Sequence, residues 1–541
     1  MTVRRTSEGL PSQEGFRVVD EPDFQWCRRQ SPHENLAQVQ AVQRVELVYV
    51  LEQGHAVVVV ERPRHSHSPR STDGCSDRLG TVDNALHDVL RRLAGNQIGS
   101  LDILDDRAVA IVEVDDSSSD VRTSNLEHGN KVTMGHGCCF DEEIRTLTPQ
   151  TVSTSSLREQ VGSLLESHWD DRRGFCLPNP TTYPHLWLWD SCFHAIIWAH
   201  LGDPRAPREL AAVLAGQLPE GLVPHMRYGG QPPDTWLGPL DETSSLAQPP
   251  MYGHAARVLQ DHGFRLPTAA LTQAKRGMDW LWSHRRTDLG LLFVVHPWEA
   301  GNDHSPRWDD WGAPGRTAGD YDRAARTAWN KARMADLTFH EDGAAAWSTT
   351  FVACPAAFNA YVAFNMAELA HVLGDIDLAR RSRLLSSAID EHLWDDTEGL
   401  WRDLAVLGGG PSVRIPISDG VMGALVTDDR GRAAGALSQL DLPDRFRAPF
   451  GPSNVARTHP AYDPDMYWRG ASWPHLNYLL WLAERRWGRN EPSAALAENT
   501  VVAAVQSGWA EYWNPESGRG LGAIPQSWTG LALALHDKED R

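Results

Sequence analysis

Residues 361–393 read YVAFNMAELAHVLGDIDLARRSRLLSSAIDEHL. Val362, Met366, Leu369 and Leu373 fall on one face of a 3.6-residue period, and Gly374 stands where a helix would close. A second apolar series, Leu378, Leu385, Ile389 and Leu393, follows at once. The spacing predicts two helices packed back to back. The same grammar extends outward. Asp203-Pro204 opens a run with Leu210, Val213, Leu214 and Leu218 on one face. Pro474 opens another with Leu476, Leu479, Leu480, Ala483 and Trp487, and Gly488 comes after it. Proline at the start and glycine past the end is the expected asymmetry of helix punctuation. Paired helices in series fit a bundle, a solenoid or a closed helical barrel. The helical runs show no fixed sequence period, which counts against a simple repeat solenoid.

The first 150 residues read differently. Of 22 tryptophans only Trp26 lies there. VELVYVL and AVVVVE within Val45–Glu61, split by Gln53, Gly54 and His55, predict a β-hairpin. Leu86, Val89, Leu90 and Leu93 predict a helix over Val82–Leu93, and Ala108–Val114 reads as a strand. Asp115–Asn130, rich in Ser, Asp and Asn, reads as a loop or linker. These features divide the chain into a small α+β module, residues 1–150, and a mainly α domain, residues 151–541. Nothing in the module suggests chemistry, and a structural or oligomerisation role suits it. A homo-oligomer is compatible with this division.

Composition narrows the function. The 541 residues carry a formal net charge of -20, which repels phosphate backbones and argues against a nucleic-acid partner. Seven cysteines at irregular spacings do not form a disulfide framework. Cys138 and Cys139, near His136, lack the second ligand pair of a metal site, so neither metal nor cofactor is expected. MTVRRTSEGLPSQEG has no apolar core of a secretory signal, and no run suffices to cross a bilayer. A cytoplasmic protein with no membrane partner is the expectation.

The segments between helices carry the chemistry. YPHLWLWDS (183–191), HPWEAGNDHSPRWDDW (296–311), DMYWRGASW (465–473) and EYWNPESGRGLG (511–522) set tryptophans beside carboxylates. Flat aromatic faces pack on sugar C–H surfaces while carboxylates and amides bond hydroxyls, so a small carbohydrate is the expected ligand. Glycosidic cleavage needs two carboxyl groups flanking the bond, one as a proton donor. Glu299, Asp303, Asp309 and Asp310 are candidates in one segment and Glu511 in another, whereas Glu516 reads as an exposed loop residue. Burial beside Trp298 and Trp308 would keep an acid protonated near neutrality. Spacing alone does not choose between Glu299 and Asp303.

From about residue 155 to 537 the chain resembles the bacterial mannosylglycerate and glucosylglycerate hydrolases of glycoside hydrolase family 63, clan relatives of the family 37 trehalases. YPHLWLWDSCFHAIIWAHLGD, GQLPEGLVPHM, QPPMYGHAARVL, HPWEAGNDHSPRWD, MYWRGASWPHLNYLL and EYWNPESGRGLGAIPQSWTG carry the resemblance in order. It implies an (α/α)6 barrel and an inverting α-glycosidase acting on a small α-glucoside or α-mannoside such as glucosylglycerate or mannosylglycerate. In the Glu-x-Gly-x-Asp motif the general acid is Asp303, and in the Glu-Tyr-x-x-Pro motif the general base is Glu511. The resemblance further places Trp189, Asp190, Gln248, Trp298, Glu299, Tyr467, Trp468 and Gln526 on the sugar. Arg307 follows the acid motif and would orient it. Arg316, Tyr321 and Arg323 are counterparts offered for the family's glycerate-binding Arg and Tyr. The chain departs from the family pattern at Ala300 and Asn302. Two other readings compete. A sugar 2-epimerase-like isomerase would use His225, His254, His296 or His475 for proton transfer, and a catalytically inactive protein would only bind sugar.

Overall fold

The computed structural model describes residues 153–407 and 415–536 and, in the N-terminal part, the backbone of eight strands. The chain divides into two compact units, Met1–Thr146 and Leu147–Arg541. The strands of the first unit are β1 (Thr2–Arg5), β2 (Gly15–Val19), β3 (Arg44–Val50), β4 (His55–Glu61), β5 (Ser100–Leu104), β6 (Arg107–Val114), β7 (Val121–Arg122) and β8 (Lys131–Thr133). They form one sheet in the order β1-β2-β3-β4-β6-β5-β8, with β7 beside β6. β3 and β4 pair antiparallel from Arg44↔Glu61 to Val50↔His55, which is the hairpin expected from the two valine-rich runs. The expected strand at 108–114 is β6. β7 lies inside the stretch read as a loop. The helix expected over Val82–Leu93 and the Cys138–Cys139 pair lie outside the described residues.

The second unit is helical. In chain order its helices are α1 (Thr154–His168), α2 (Leu188–His200), α3 (Ala206–Leu214), α4 (Tyr252–Asp261), α5 (Thr268–His284) and α6 (Arg323–Arg333). There follow α7 (Ala356–Leu373), α8 (Ile376–His392), α9 (Arg430–Ser438), α10 (Pro474–Arg486), α11 (Asn490–Gln506) and α12 (Ala532–His536). Burial sorts them into two layers. α2 is buried from Leu188 to Ala199, and α7 is buried on nearly every side. A helix apolar all round belongs in a core. Its sequence neighbour α8 buries only the stripe Leu378, Ser382, Leu385, Ala388 and Ile389, as an outer helix should.

Packing closes the inner layer into a ring. α2 packs on α4, α4 on α7, and α7 on the 3-10 helix Ser418–Leu425. That turn packs on α10, α10 on the 3-10 turn Ser527–Leu531 that runs into α12, and this turn on α2. The outer helices α1, α3, α5, α8, α9 and α11 alternate with these six in sequence and pack against them. The result is an (α/α)6 barrel, with α6 as an extra helix outside the alternation. The expected helix at Asp203-Pro204 begins later, at Ala206. The Asp203 carboxylate accepts the Arg205 N–H at 2.9 Å and holds a turn there instead. Leu218, assigned to that helix by spacing, lies beyond its end at Leu214.

Alternation has a topological consequence. Connections from inner to outer helices are short: 201–205, 262–267, 374–375, 426–429 and 487–489. Connections from outer to inner helices span 169–187, 215–251, 285–355, 393–417, 439–473 and 507–526. Because outer helices all run towards the same rim, these six long segments gather there. Every aromatic-carboxylate stretch singled out in the sequence lies in one of them or at the start of the inner helix that follows. No helix among the described residues is long and apolar enough to cross a membrane.

Candidate active site

Asp303 sits between two 3-10 turns, Pro297–Ala300 and Pro306–Trp311. Gly301 between them has φ of 86°. A Cβ built there would lie 2.6 Å from Cη2 of Trp189, so the turn can rest on that indole only with glycine at this position. The turn is tied down on all sides of Asp303. Trp308 Nε1 donates to the Asn302 carbonyl at 2.9 Å, and Asn330 Nδ2 donates to the Asp303 carbonyl at 3.1 Å. The Asp303 side chain is left almost bare. Tyr467 reaches its Oδ2 with a hydroxyl 3.5 Å away. Burial, and then the charge of Glu511, push the Asp303 carboxyl up to about 7 against weaker pulls from Tyr467 and Arg323.

Glu511 begins a hairpin in which Tyr512 pairs with Leu521 and Trp513 with Gly520. Its backbone N–H donates to the Ala523 carbonyl at 2.8 Å, and the Ala523 N–H returns a bond to its Oε2 at 2.9 Å. The Tyr183 hydroxyl donates to both carboxylate oxygens, at 3.1 and 3.2 Å. Gly522, at φ 74°, makes the close return possible, since a Cβ there would overlap Oε2 of Glu511. Burial raises this carboxyl to about 7, opposed by the Ala523 N–H, the Tyr183 hydroxyl and Arg323. The donors on Glu511 favour its ionised form, and the charge of Glu511 in turn favours the protonated form of Asp303.

Other expected residues surround the two. Asp190, in the first turn of α2, is buried, and its carboxyl is held well above the usual range by that burial and by Glu511. The Trp189 N–H donates to Gln248 Oε1 at 3.1 Å. Gln526 is buried, with Oε1 lacking a partner among the described residues. Trp298 is partly buried against the small cluster of Met226, Tyr228 and Leu237. The Arg323 guanidinium lies 4.4 Å from the centre of the Tyr467 ring and pulls both Asp303 and Glu511 towards ionisation. Tyr183 went unnoticed as a site residue in the sequence, because 328 positions separate it from the carboxylate it grips.

Three expectations change, and Arg307 lies beside the turn it was expected to orient. Glu299 faces inward: Arg285 binds it bidentately at 2.9 and 2.7 Å, and the N–H groups of Ala247 and Val295 complete its shell. No oxygen is left for a sugar. Arg307 is fully buried, lying 3.2 Å from Asp403 and 3.4 Å from Asp419. It reaches Asn302 Oδ1 at 3.3 Å, so it braces the acid turn and not a ligand. Trp468 is buried face to face on Trp473, ring centres 3.8 Å apart, as part of the aromatic wall. Arg316 is exposed and paired with Asp310 at 2.8 Å, which leaves Arg323 as the cation facing the carboxylates.

The histidines are not poised for proton shuttling. Burial pushes His225 and His296 down to about 3 and about 4. His254 is held between Glu368 and Tyr478 at 3.0 and 2.9 Å, and His475 is buried among Trp189, Trp473 and Trp528. A buried trio of Cys176, His194 and Glu209 has ligand-type atoms close together. Glu209 accepts the Cys176 N–H at 2.9 Å, and His194 Nε2 meets Ser527 Oγ at 2.6 Å, so the trio pins α2 and α3 to the last inner turn. A cavity of about 300 Å³ lined by Gln217, Arg227, Asp241 and Glu242 is bordered by neither Asp303 nor Glu511.

Residues 183–529 match the mannosylglycerate hydrolase MGH1-like glycoside hydrolase domain. The mannosylglycerate hydrolase of Rubrobacter radiotolerans is 26% identical over 435 residues, which cover 71% of this chain and 97% of that protein. The glucosylglycerate hydrolase of Mycolicibacterium hassiacum is 27% identical over 423 residues, covering 65% and 92%. The GH63 mannosylglycerate hydrolase of Thermus thermophilus, crystallised with Tris and D-glycerate, shares the fold with a TM-score of 0.59 at 24% identity, covering 70% of this chain and 99% of that one. The matched span runs from Tyr183 through Asp303 to the hairpin of Glu511, and the chain belongs to the MGH1-like glycoside hydrolases.

Proposed function

We propose that the chain is an inverting α-glycosidase of small anionic α-glucosides or α-mannosides, with glucosylglycerate or mannosylglycerate as the substrate class and residues 151–541 as the hydrolytic unit. Asp303 protonates the leaving oxygen, and Glu511 activates the attacking water. The observation that carries this reading is the unequal provision of donors to two carboxyls, one of which, Asp303, is raised by the charge of the other. Two donors, the Tyr183 hydroxyl shared between both oxygens and the Ala523 N–H, favour the ionised form of Glu511, whereas the Tyr467 hydroxyl stands 3.5 Å from Asp303. An acid that keeps its proton beside a base that has lost its own is the ground state direct displacement by water requires. Asp190, Gln248, Trp189 and Gln526 would bind the sugar. Arg323, in reach of the charge of both carboxyls, would take the carboxylate of the aglycone, as the relatives' glycerate-bearing substrates require. An inverting pair needs roughly 6.5–9.5 Å between carboxyls to admit a water.

Stereochemistry tests it. Proton NMR in the first minutes of hydrolysis of an α-glycoside should show the β-configured sugar first, before mutarotation. Initial release of the α-anomer would make Glu511 a nucleophile and sink the inverting mechanism.

A further inference from the structure

Behind the acid turn lies a buried charge cluster that the proposed chemistry does not use. Asp309 stands at its centre, 4% exposed. Arg469 grips it with both arms, Nη1 to Oδ1 at 3.1 Å and Nη2 to Oδ2 at 2.8 Å. Arg326, from α6, adds Nη1 to Oδ1 at 2.5 Å. Two fully buried guanidiniums thus share one carboxylate. An unpaired buried charge is costly, and the Nη groups of both arginines find further acceptors beyond Asp309.

Those acceptors are backbone carbonyls of the acid turn and of the segment just after it, while Nε of each arginine has no partner among the described residues. Arg326 Nη2 donates to the carbonyls of His304 and Ser305 at 3.2 and 2.9 Å. Arg469 Nη1 donates to the His304 carbonyl at 3.3 Å, and its Nη2 to the Gly315 carbonyl at 2.8 Å. The residue directly before these gripped carbonyls is Asp303. The residue two before Arg469 is Tyr467, whose hydroxyl touches Asp303 Oδ2. One carboxylate therefore orients both guanidiniums, and through them fixes the turn that aims Asp303 and the turn that brings up its Tyr467 contact.

We propose that Asp309 is a positioning residue for the general acid, acting through Arg326 and Arg469 on the peptide groups that follow Asp303. The proposal rests on the reading of Asp303 as the acid. Its distinctive consequence concerns leaving groups. A glycoside whose leaving oxygen must be protonated depends on the aim of Asp303, whereas fluoride departs with far less help. A defect confined to acid positioning should hurt the first and largely spare the second.

The test compares kcat/KM of the full chain and its variants on glucosylglycerate or mannosylglycerate and on the matching α-glycosyl fluoride. Asp309→Asn should lose about 10–100-fold on the glycoside, a fraction of the roughly 100–10,000-fold worth of general acid catalysis, and about threefold or less on the fluoride. Arg326→Lys keeps the charge but loses the fork that grips two carbonyls. It should show the same split, and it serves if the Asn variant does not fold. Asp303→Asn is the reference and should show the largest split. Equal losses on both substrates in Asp309→Asn and Arg326→Lys, with the split intact in Asp303→Asn, would overturn the proposal and leave the acid assignment standing. Absence of the split in Asp303→Asn itself would remove the acid assignment, and the proposal with it.

Discussion

The turn that carries Asp303 and the hairpin that carries Glu511 solve opposite problems with the same residue type. The hairpin surrounds its carboxylate with donors, the Tyr183 hydroxyl lying between both oxygens and the Ala523 N–H on one, and uses Gly522 to bring the returning strand within reach. The turn spends its hydrogen bonds on its own backbone, through Asn330, Trp308, Arg326 and Arg469, and leaves the Asp303 side chain nearly unserved. Burial raises both carboxyls, and the Ala523 N–H and the Tyr183 hydroxyl pull Glu511 back towards ionisation. Only four residues from Asp303, Glu299 illustrates the third outcome. A bidentate arginine and two N–H groups make that carboxylate a fixed part of the scaffold.

The comparison breaks most directly at its two ends. Asp303→Asn and Glu511→Gln should each lower kcat by roughly 100–10,000-fold with the fold retained by circular dichroism. Retention of more than about a tenth of wild-type activity would void the role of the residue concerned. Next comes Glu299→Gln, which strands Arg285 as an unpaired buried charge. It should cost about 3–5 kcal/mol of stability, read as a lowered denaturation midpoint. A wild-type midpoint with lost substrate affinity would return Glu299 to the sugar. Gly522→Ala must move Glu511 or the returning strand, and a displacement near 1 Å costs on the order of 100-fold in kcat. Unchanged kcat would show that the close approach is not needed for turnover.

The smallest effect sharpens the comparison best. Tyr183→Phe removes a donor that favours ionised Glu511, so the Glu511 carboxyl should rise further and the acid limb of the kcat/KM profile should move to higher pH. Wild type should give a bell centred near 7, falling on the acid side as Glu511 takes up a proton and on the alkaline side as Asp303 loses its own. Loss of one hydrogen bond to a charged group should reduce kcat/KM about tenfold on the acid limb and less on the alkaline one. A uniform loss at all pH values would mean that Tyr183 binds substrate and does not tune the base.

The sequence by itself determined the helical class, because period-3.6 faces punctuated by proline and glycine survive in any tertiary context. It determined that the carboxylates worth attention stand beside tryptophans in the long interhelical segments, and the glycines of the Glu-x-Gly-x-Asp and Glu-Tyr-x-x-Pro stretches stood next to them. Composition and spacing did not separate Glu299, Asp303 and Asp309, which share one loop, and only the family motif singled out Asp303. The physical ground for that choice lay with tertiary structure. Arg285 and Ala247 claim Glu299, and Arg469, 160 positions away, claims Asp309. Asp303 is left free by what does not bond to it. Closure of the barrel, α2 against the turn at Ser527–Leu531, likewise has no local signature. A hydrogen-bond partner brought from another helix leaves no trace in spacing, because chain separation and distance in space become independent once the ring has closed.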